Sequence, residues 1–241
     1  MKTIILMFSV SIFTFFQCKN TDKSTINDEK CKQMGDKISL MQLNYVTEQD
    51  TTFIRLDSAL NLIDTMMYEC KKYYAGLVSN KLQILSAKKE YAIALKFINC
   101  LDEKEISPLR KFILLKRFEA MQAQIENDTI QKNKLIMEII GYLKSDLLND
   151  STGIKTILQL PKVLDIMQHK ESLYIIQLYY YRAQIEGASK ILNELDSFQQ
   201  KINGNSDFFE IVKGSLTTNA WLNTEKNEFN LKEEFLFFNG L

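Results

Sequence analysis

Turn-forming residues and histidine are scarce in this chain. Its 241 residues include eight glycines, two prolines and one histidine, His169. An all-β sandwich or barrel needs many tight connections, which so few glycines and prolines cannot supply. A single histidine also excludes the H-E-x-x-H zinc motif and the paired Glu-x-x-His motifs of di-iron bundles. The composition therefore predicts an all-α protein, and His169, placed in a polar break between apolar segments, is expected in a solvated loop.

Net charge and nucleotide-binding motifs are also missing. Thirty basic and thirty acidic residues give a formal charge of zero, so no global field attracts nucleic acid or an anionic membrane. Neither the phosphate loops G-x-x-x-x-G-K-S/T and G-x-G-x-x-G nor the nucleophile elbow G-x-S-x-G occurs. We therefore predict a protein that is not an enzyme, with no cofactor, no metal and no nucleic-acid partner.

The N-terminus carries a short apolar run. Met1 and Lys2 form a positively charged start, Ile4 to Phe16 is apolar apart from two serines and a threonine, and polarity returns at Gln17. A helix over these 13 residues would extend about 20 Å, which is less than the ~30 Å of a bilayer's hydrocarbon core. Residues 1–17 are thus predicted to be a signal peptide and not a permanent membrane span.

Cys18 follows the apolar run directly. This position resembles the lipobox of bacterial lipoproteins, in which the cysteine becomes the lipidated first residue of the mature chain. The resemblance covers the first 18 residues. It implies acyl chains such as palmitate on Cys18, and a protein anchored to a bacterial membrane, expected to be the outer one, with its domain in the periplasm or at the cell surface. A plain secretory signal is the alternative, but an A-x-A-like site is missing near Phe13 to Cys18.

The segment after Cys18 is polar. Residues 19–37 mix Asn, Asp, Ser, Thr and Lys and contain almost no apolar side chains. Such a composition buries too little surface to offset the entropy of ordering. We therefore predict a flexible tether over residues 18–38 and an all-α helical domain over residues 39–241.

Apolar residues recur at helical spacing through most of the remaining chain. The pattern predicts helices around Leu56 to Met67, over Tyr74 to Ala87, from Tyr91 to Leu101, and in the segments bearing the following apolar residues: Phe112 to Ile125, Ile136 to Leu147, Leu173 to Ile185, Ile191 to Ile202, and Phe208 to Val212. Ser107 and Pro108 suit the N-cap and first position of a helix. Gly187 is expected to interrupt a helix, and Pro161 to kink or split one.

One segment suggests a repeat. Tyr91, Ala94 and Ile98 resemble the second helix of a tetratricopeptide repeat, in which an aromatic residue precedes a small one by three and a large one follows by four. Ala59 occupies the same place 35 residues earlier, close to the period of that repeat. The resemblance implies an array of antiparallel helix hairpins, tetratricopeptide-like in kind, and an irregular helical bundle is the alternative.

Three further cysteines, Cys31, Cys70 and Cys100, have no C-x-x-C spacing and therefore do not predict a zinc site. Cysteine is often a small buried apolar residue, and this interpretation is favoured here. An oxidising envelope would permit one disulfide, for which Cys70 with Cys100 is conceivable if their helices are neighbours.

Two aromatic groups are candidates for partner binding. Tyr174, Tyr179, Tyr180 and Tyr181 would line a groove or, in the favoured alternative, pack in the core with their hydroxyls satisfied. The C-terminal stretch is rich in aromatic residues, with the candidates Phe235, Phe237 and Phe238. It is expected to cap the last helix or to dock on another protein.

These features predict a membrane-tethered envelope lipoprotein that binds one or more proteins, of unspecified identity, as an adaptor or assembly factor. An inhibitor or immunity lipoprotein directed against an envelope toxin or hydrolase is the first alternative. A peptidoglycan hydrolase that uses carboxylates alone is the second, since thirty acidic residues offer many pairs.

Overall fold

The computed structural model describes residues 25–47, 53–149, 170–201, 206–217, 222–223 and 228–229. Within these ranges the protein is all-α, as predicted, with one short pair of strands. The helices are α1 Thr25–Thr47, α2 Ile54–Glu69, α3 Tyr74–Ala87, α4 Tyr91–Cys100, α5 Pro108–Ile125, α6 Thr129–Asn149, α7 Lys170–Glu186, α8 Ala188–Lys201 and α9 Ser206–Thr217. A 3-10 turn, Lys71–Tyr73, precedes α3. The strands β1, Leu222–Asn223, and β2, Glu228–Phe229, pair antiparallel.

Helices that follow one another in the chain pack side by side. They run in opposite directions, as contacts at their ends demonstrate: Cys31 near the start of α1 is bonded to Cys70 just after α2. Likewise, Lys88 just after α3 forms an ion pair with Asp57 in the first turn of α2. The described part of the chain is therefore an array of antiparallel helix hairpins, as the hydrophobic pattern predicts.

The helices enclose two hydrophobic cores that share α3. The smaller core lies between α1, α2 and α3, and the larger core extends from α3 to β2. Leu77 and Ile84 of α3 belong to the smaller core, whereas Val78 and Leu82 belong to the larger one. Because α3 buries apolar residues on both sides, it forms the wall between the two cores.

Two helix boundaries arise from residues that the sequence marks. Ser107 is the N-cap of α5, where its Oγ accepts a hydrogen bond from the backbone N–H of Arg110 at 3.3 Å, and Pro108 holds the first helical position. Gly187 separates α7 from α8 with φ at 90°, a left-handed conformation that glycine adopts at little steric cost. Both predicted boundaries are confirmed.

The small residues of the suggested repeat are fully buried. Ala59 on α2 and Ala94 on α4 are both 0% exposed. The aromatic and large residues flanking Ala94, Tyr91 and Ile98, are also buried. The local pattern is thus a core pattern, and a tetratricopeptide-like repeat stays a prediction.

The predicted tether is corrected over residues 25–38, which form the first part of α1. Cys31 is 4% exposed and Ile38 is 0% exposed, because both enter the smaller core. Composition did not predict this helix, because its buried residues Cys31 and Ile38 are surrounded in the sequence by polar ones. The predicted signal peptide, residues 1–17, and the rest of the predicted tether, 18–24, lie outside the described residues.

Candidate functional site

Several residues proposed from the sequence lie outside the described residues. They are Cys18, His169, Phe235, Phe237 and Phe238. The lipid on Cys18, the loop position of His169 and the role of the C-terminal phenylalanines therefore stay predictions.

The four tyrosines of α7 occupy two environments. Tyr174 and Tyr179 are half-buried, whereas Tyr180 and Tyr181 are 0% exposed. The rings of Tyr180 and Tyr181 meet edge to face, with centroids 5.2 Å apart, and burial raises the pKa of both hydroxyls. An open groove lined by all four tyrosines is therefore not formed, because Tyr180 and Tyr181 are part of the core.

The two buried tyrosines surround a buried arginine. Arg117 of α5 is 0% exposed, and its Nη1 donates a hydrogen bond to the Tyr181 hydroxyl at 3.3 Å. Its guanidinium carbon lies 5.7 Å from the ring centroid of Tyr180 and 5.9 Å from that of Phe229. Aromatic faces attract a cation at such distances, and more strongly where water is excluded. The cation therefore joins α5, α7 and β2.

Two turns further along α5, Gln124 holds the backbone of β2. Its Nε2 donates to the carbonyl of Phe229 at 2.9 Å, and its Oε1 accepts from the N–H of Phe229 at 3.0 Å. One side-chain amide thus satisfies both backbone groups of a residue, as a neighbouring strand would. Arg117, Gln124 and Tyr180, which together hold Phe229, are called the Phe229 seat below.

The aromatic ring completes the binding of this segment. Phe229 is 2% exposed, and its ring centroid lies 6.2 Å from that of Tyr180. The segment comes from 105 residues beyond Gln124, yet it is fixed through its backbone and its side chain together. The seat is therefore able to hold an extended segment that presents a phenylalanine.

A second polar cluster ties α7 to α8. Arg182 forms ion pairs at 2.7 Å with Glu186 on its own helix and with Glu194 on α8. Hydrogen bonds from Arg182 and Lys190 lower the pKa of Glu186 to about 2. These pairs bridge the bend at Gly187, so the cluster serves the fold.

The outer face of α6 carries exposed apolar side chains. Ile130 is 85% exposed and Met137 is 53% exposed, and their spacing of seven places them on one face of the helix. The exposed lysines Lys134 and Lys144 share this face. Ile130, Lys134, Met137 and Lys144 are called the outer stripe of α6 below.

The cysteines form a pair that the sequence did not single out. Cys31 and Cys70 make a disulfide with their Cα atoms 5.9 Å apart, and Cys100 is free and exposed. The pairing of Cys70 with Cys100 is therefore wrong, as is the favoured interpretation of Cys31 and Cys70 as free buried thiols. The sequence did not indicate a pairing with Cys31, because Cys31 lies in the segment that was predicted to be a flexible tether.

Within the described ranges, no three or more His, Cys, Asp or Glu side chains gather as a metal site would require. No helix of those ranges has the length and apolar character to cross a bilayer. The chain matches no protein-family model, no curated protein and no solved structure. The features of the described residues that bear on function are therefore the Phe229 seat, the outer stripe of α6 and the Cys31–Cys70 disulfide.

Proposed function

We propose that this chain is an exported lipoprotein, held at a bacterial membrane by a lipid on Cys18, that binds another protein as an envelope adaptor or assembly factor. The observation that supports partner binding is the outer stripe of α6. It exposes two large apolar side chains, Ile130 and Met137, on one helix face, and exposed apolar side chains that share a helix face with charged neighbours are found at interaction surfaces.

The charges of the stripe indicate the chemistry of its partner. Lys134 and Lys144 flank the apolar residues on the same exposed face. A matching surface would offer apolar side chains edged by carboxylates, since complementary charges favour encounter and register. An amphipathic helix with acidic edges meets this requirement.

The disulfide supports export. Disulfides persist in oxidising compartments and are rare where glutathione and thioredoxin keep thiols reduced. Cys31 and Cys70 are both buried in the smaller core, so the bond belongs to the folded domain. An oxidising envelope is the compartment that the apolar N-terminal run of residues 1–17 also predicts.

Site-specific photocrosslinking in cells tests partner binding at the outer stripe. A photoreactive residue is placed at Ile130 or at Met137 in the full chain, and at Tyr68 of α2 as a control with the same 85% exposure as Ile130. We expect one distinct crosslinked protein from the two α6 positions and none from Tyr68. Crosslinks of equal intensity at all three positions, or none at any, would contradict the proposal.

Introducing a negative charge into the stripe makes the same test quantitative. Met137→Glu places a carboxylate between the lysines of the stripe and opposite the acidic edge of the partner, so co-purification of the crosslinked protein should fall at least tenfold. Tyr68→Glu should leave it unchanged. A single partner bound in a one-to-one complex would favour the inhibitor alternative, whereas several co-purifying proteins would favour an adaptor.

A further inference from the structure

The strand pair that carries Phe229 is short in the described part of the chain. Strands β1 and β2 have two residues each, with Leu222 opposite Phe229. A strand pair of this size is not stable by itself in water. The position of β2 therefore depends on the seat, which supplies two hydrogen bonds and a buried place for one ring.

The chemistry of the seat defines what it recognises. The amide of Gln124 binds the N–H and the carbonyl that every residue except proline carries, so it selects an extended backbone and not a sequence. Arg117 and Tyr180 contact the ring of Phe229, so they select an aromatic side chain. All of these contacts are noncovalent, and another extended segment with an aromatic side chain has the groups that form them.

Two further amides on α7 are buried within one helical turn of Tyr180 or Tyr181. Gln184 lies one turn beyond Tyr180, is 4% exposed, and neither its Nε2 nor its Oε1 has a hydrogen-bond partner among the described residues. Gln177, one turn before Tyr181, is 2% exposed, and its Oε1 also has none there. Buried amides without partners cost free energy, so α7 keeps unused hydrogen-bonding capacity among the described residues near the buried tyrosines.

We infer that the Phe229 seat is a peptide-binding site that accepts an extended, phenylalanine-bearing segment of a partner protein in exchange for the chain's own residues 228–229. Glu228 and Phe229 are the resident occupant in the free chain. The site goes beyond the proposed function, because it uses the α5–α7 side of the array and not the outer stripe of α6.

A peptide added in trans tests the exchange. The probe is a fluorescent peptide with the sequence of residues 224–233, and the receptor is the full chain carrying Phe229→Ala, which vacates the ring position. We expect saturable binding by fluorescence anisotropy. Binding to the unaltered chain should be at least tenfold weaker, because a tethered segment competes at an effective concentration near the millimolar range.

Matched variants identify the seat as the binding site. Adding Gln124→Ala to the Phe229→Ala chain removes two hydrogen bonds and should weaken binding about tenfold. A probe with alanine in place of its phenylalanine should not bind. No binding by a Phe229→Ala chain that keeps its circular dichroism spectrum, or binding indifferent to Gln124→Ala, would overturn the inference.

A second measurement covers the case in which Phe229→Ala does not fold. The unaltered chain is mixed with excess probe carrying a photoreactive benzoylphenylalanine in place of its phenylalanine. Crosslinks to α5 or α7 near Arg117 and Tyr180 are expected, and crosslinks elsewhere or none would overturn the inference. Since Ile130 and Met137 are untouched in these experiments, failure here leaves the outer-stripe proposal standing.

Discussion

Removal of the Cys31–Cys70 disulfide should destabilise the fold by an amount that its loop length sets. The bonded residues are 39 positions apart. Closing a loop of this length lowers the entropy of the unfolded chain, which corresponds to roughly 4 kcal/mol of stability. Cys31 and Cys70 are 4% and 3% exposed, so small alanine side chains at both positions keep the packing close to native. The Cys31→Ala/Cys70→Ala variant should therefore lose about 4 kcal/mol of unfolding free energy.

Urea unfolding followed by far-UV circular dichroism measures this loss. Cys100→Ala is the matched control, because Cys100 is free and exposed and its replacement should leave the midpoint unchanged. Peptide mapping without reductant should recover Cys31 and Cys70 in one linked species and Cys100 as an alkylated thiol. A loss below about 1 kcal/mol in the double variant would refute the loop-closure argument, and a Cys70–Cys100 linkage would refute the pairing.

Three other substitutions give predictions of defined sign. Ser107→Ala removes the N-cap of α5 and should cost about 1 kcal/mol in urea unfolding. Tyr181→Phe removes the hydroxyl that accepts from Arg117 and should cost about 2 kcal/mol, as expected for a buried hydrogen bond to a charged group. The bond to Arg182 lowers the pKa of Glu186 from 4.5 to about 2, so the stability it contributes is present above pH 4.5 and lost as the pH falls towards 2. Glu186→Gln should therefore destabilise the protein at neutral pH, and it should flatten the dependence of the unfolding free energy on pH between pH 4.5 and 2.

Each of these substitutions has a control in the same chain. Ser58→Ala changes a serine inside α2 and should not destabilise the protein, because alanine has the higher helix propensity. Tyr142→Phe alters a tyrosine that is 42% exposed and should change stability by less than about 0.5 kcal/mol. Glu103→Gln, at an exposed position before α5, should change stability at neutral pH by less than about 0.5 kcal/mol. Equal effects in a test variant and its control would contradict the assigned contact.

Helix positions were predictable where the signal was local. The predicted helix over Tyr74 to Ala87 matches α3, Ser107 and Pro108 start α5, and Gly187 ends α7. These boundaries depend on capping groups and on the spacing of apolar residues, which the sequence displays directly. By contrast, α1 depends on a disulfide and on contacts with α2 and α3, which composition does not reveal.

The Phe229 seat was not predictable from the sequence. Arg117 and Gln124 lie on the buried side of α5, where the hydrophobic pattern treats polar residues as solvent-facing. One signal was present in the sequence: Arg110, Arg117 and Gln124 are seven residues apart and therefore lie on one face of α5. Arg110 also points inward, where it donates a hydrogen bond to Ser79 of α3. Phe229 and its partner Gln124 are 105 residues apart, and only the folded chain brings them together.

Lipidation of Cys18 is the claim on which membrane tethering depends most directly. Cells producing the full chain are labelled with a radioactive or alkyne-bearing fatty acid, and the protein is isolated under reducing conditions. We expect a labelled band for the unaltered chain and for Cys100→Ala, and loss of the label in Cys18→Ala with the protein released from the membrane fraction. An unlabelled parent chain, or a label that survives Cys18→Ala, would contradict it.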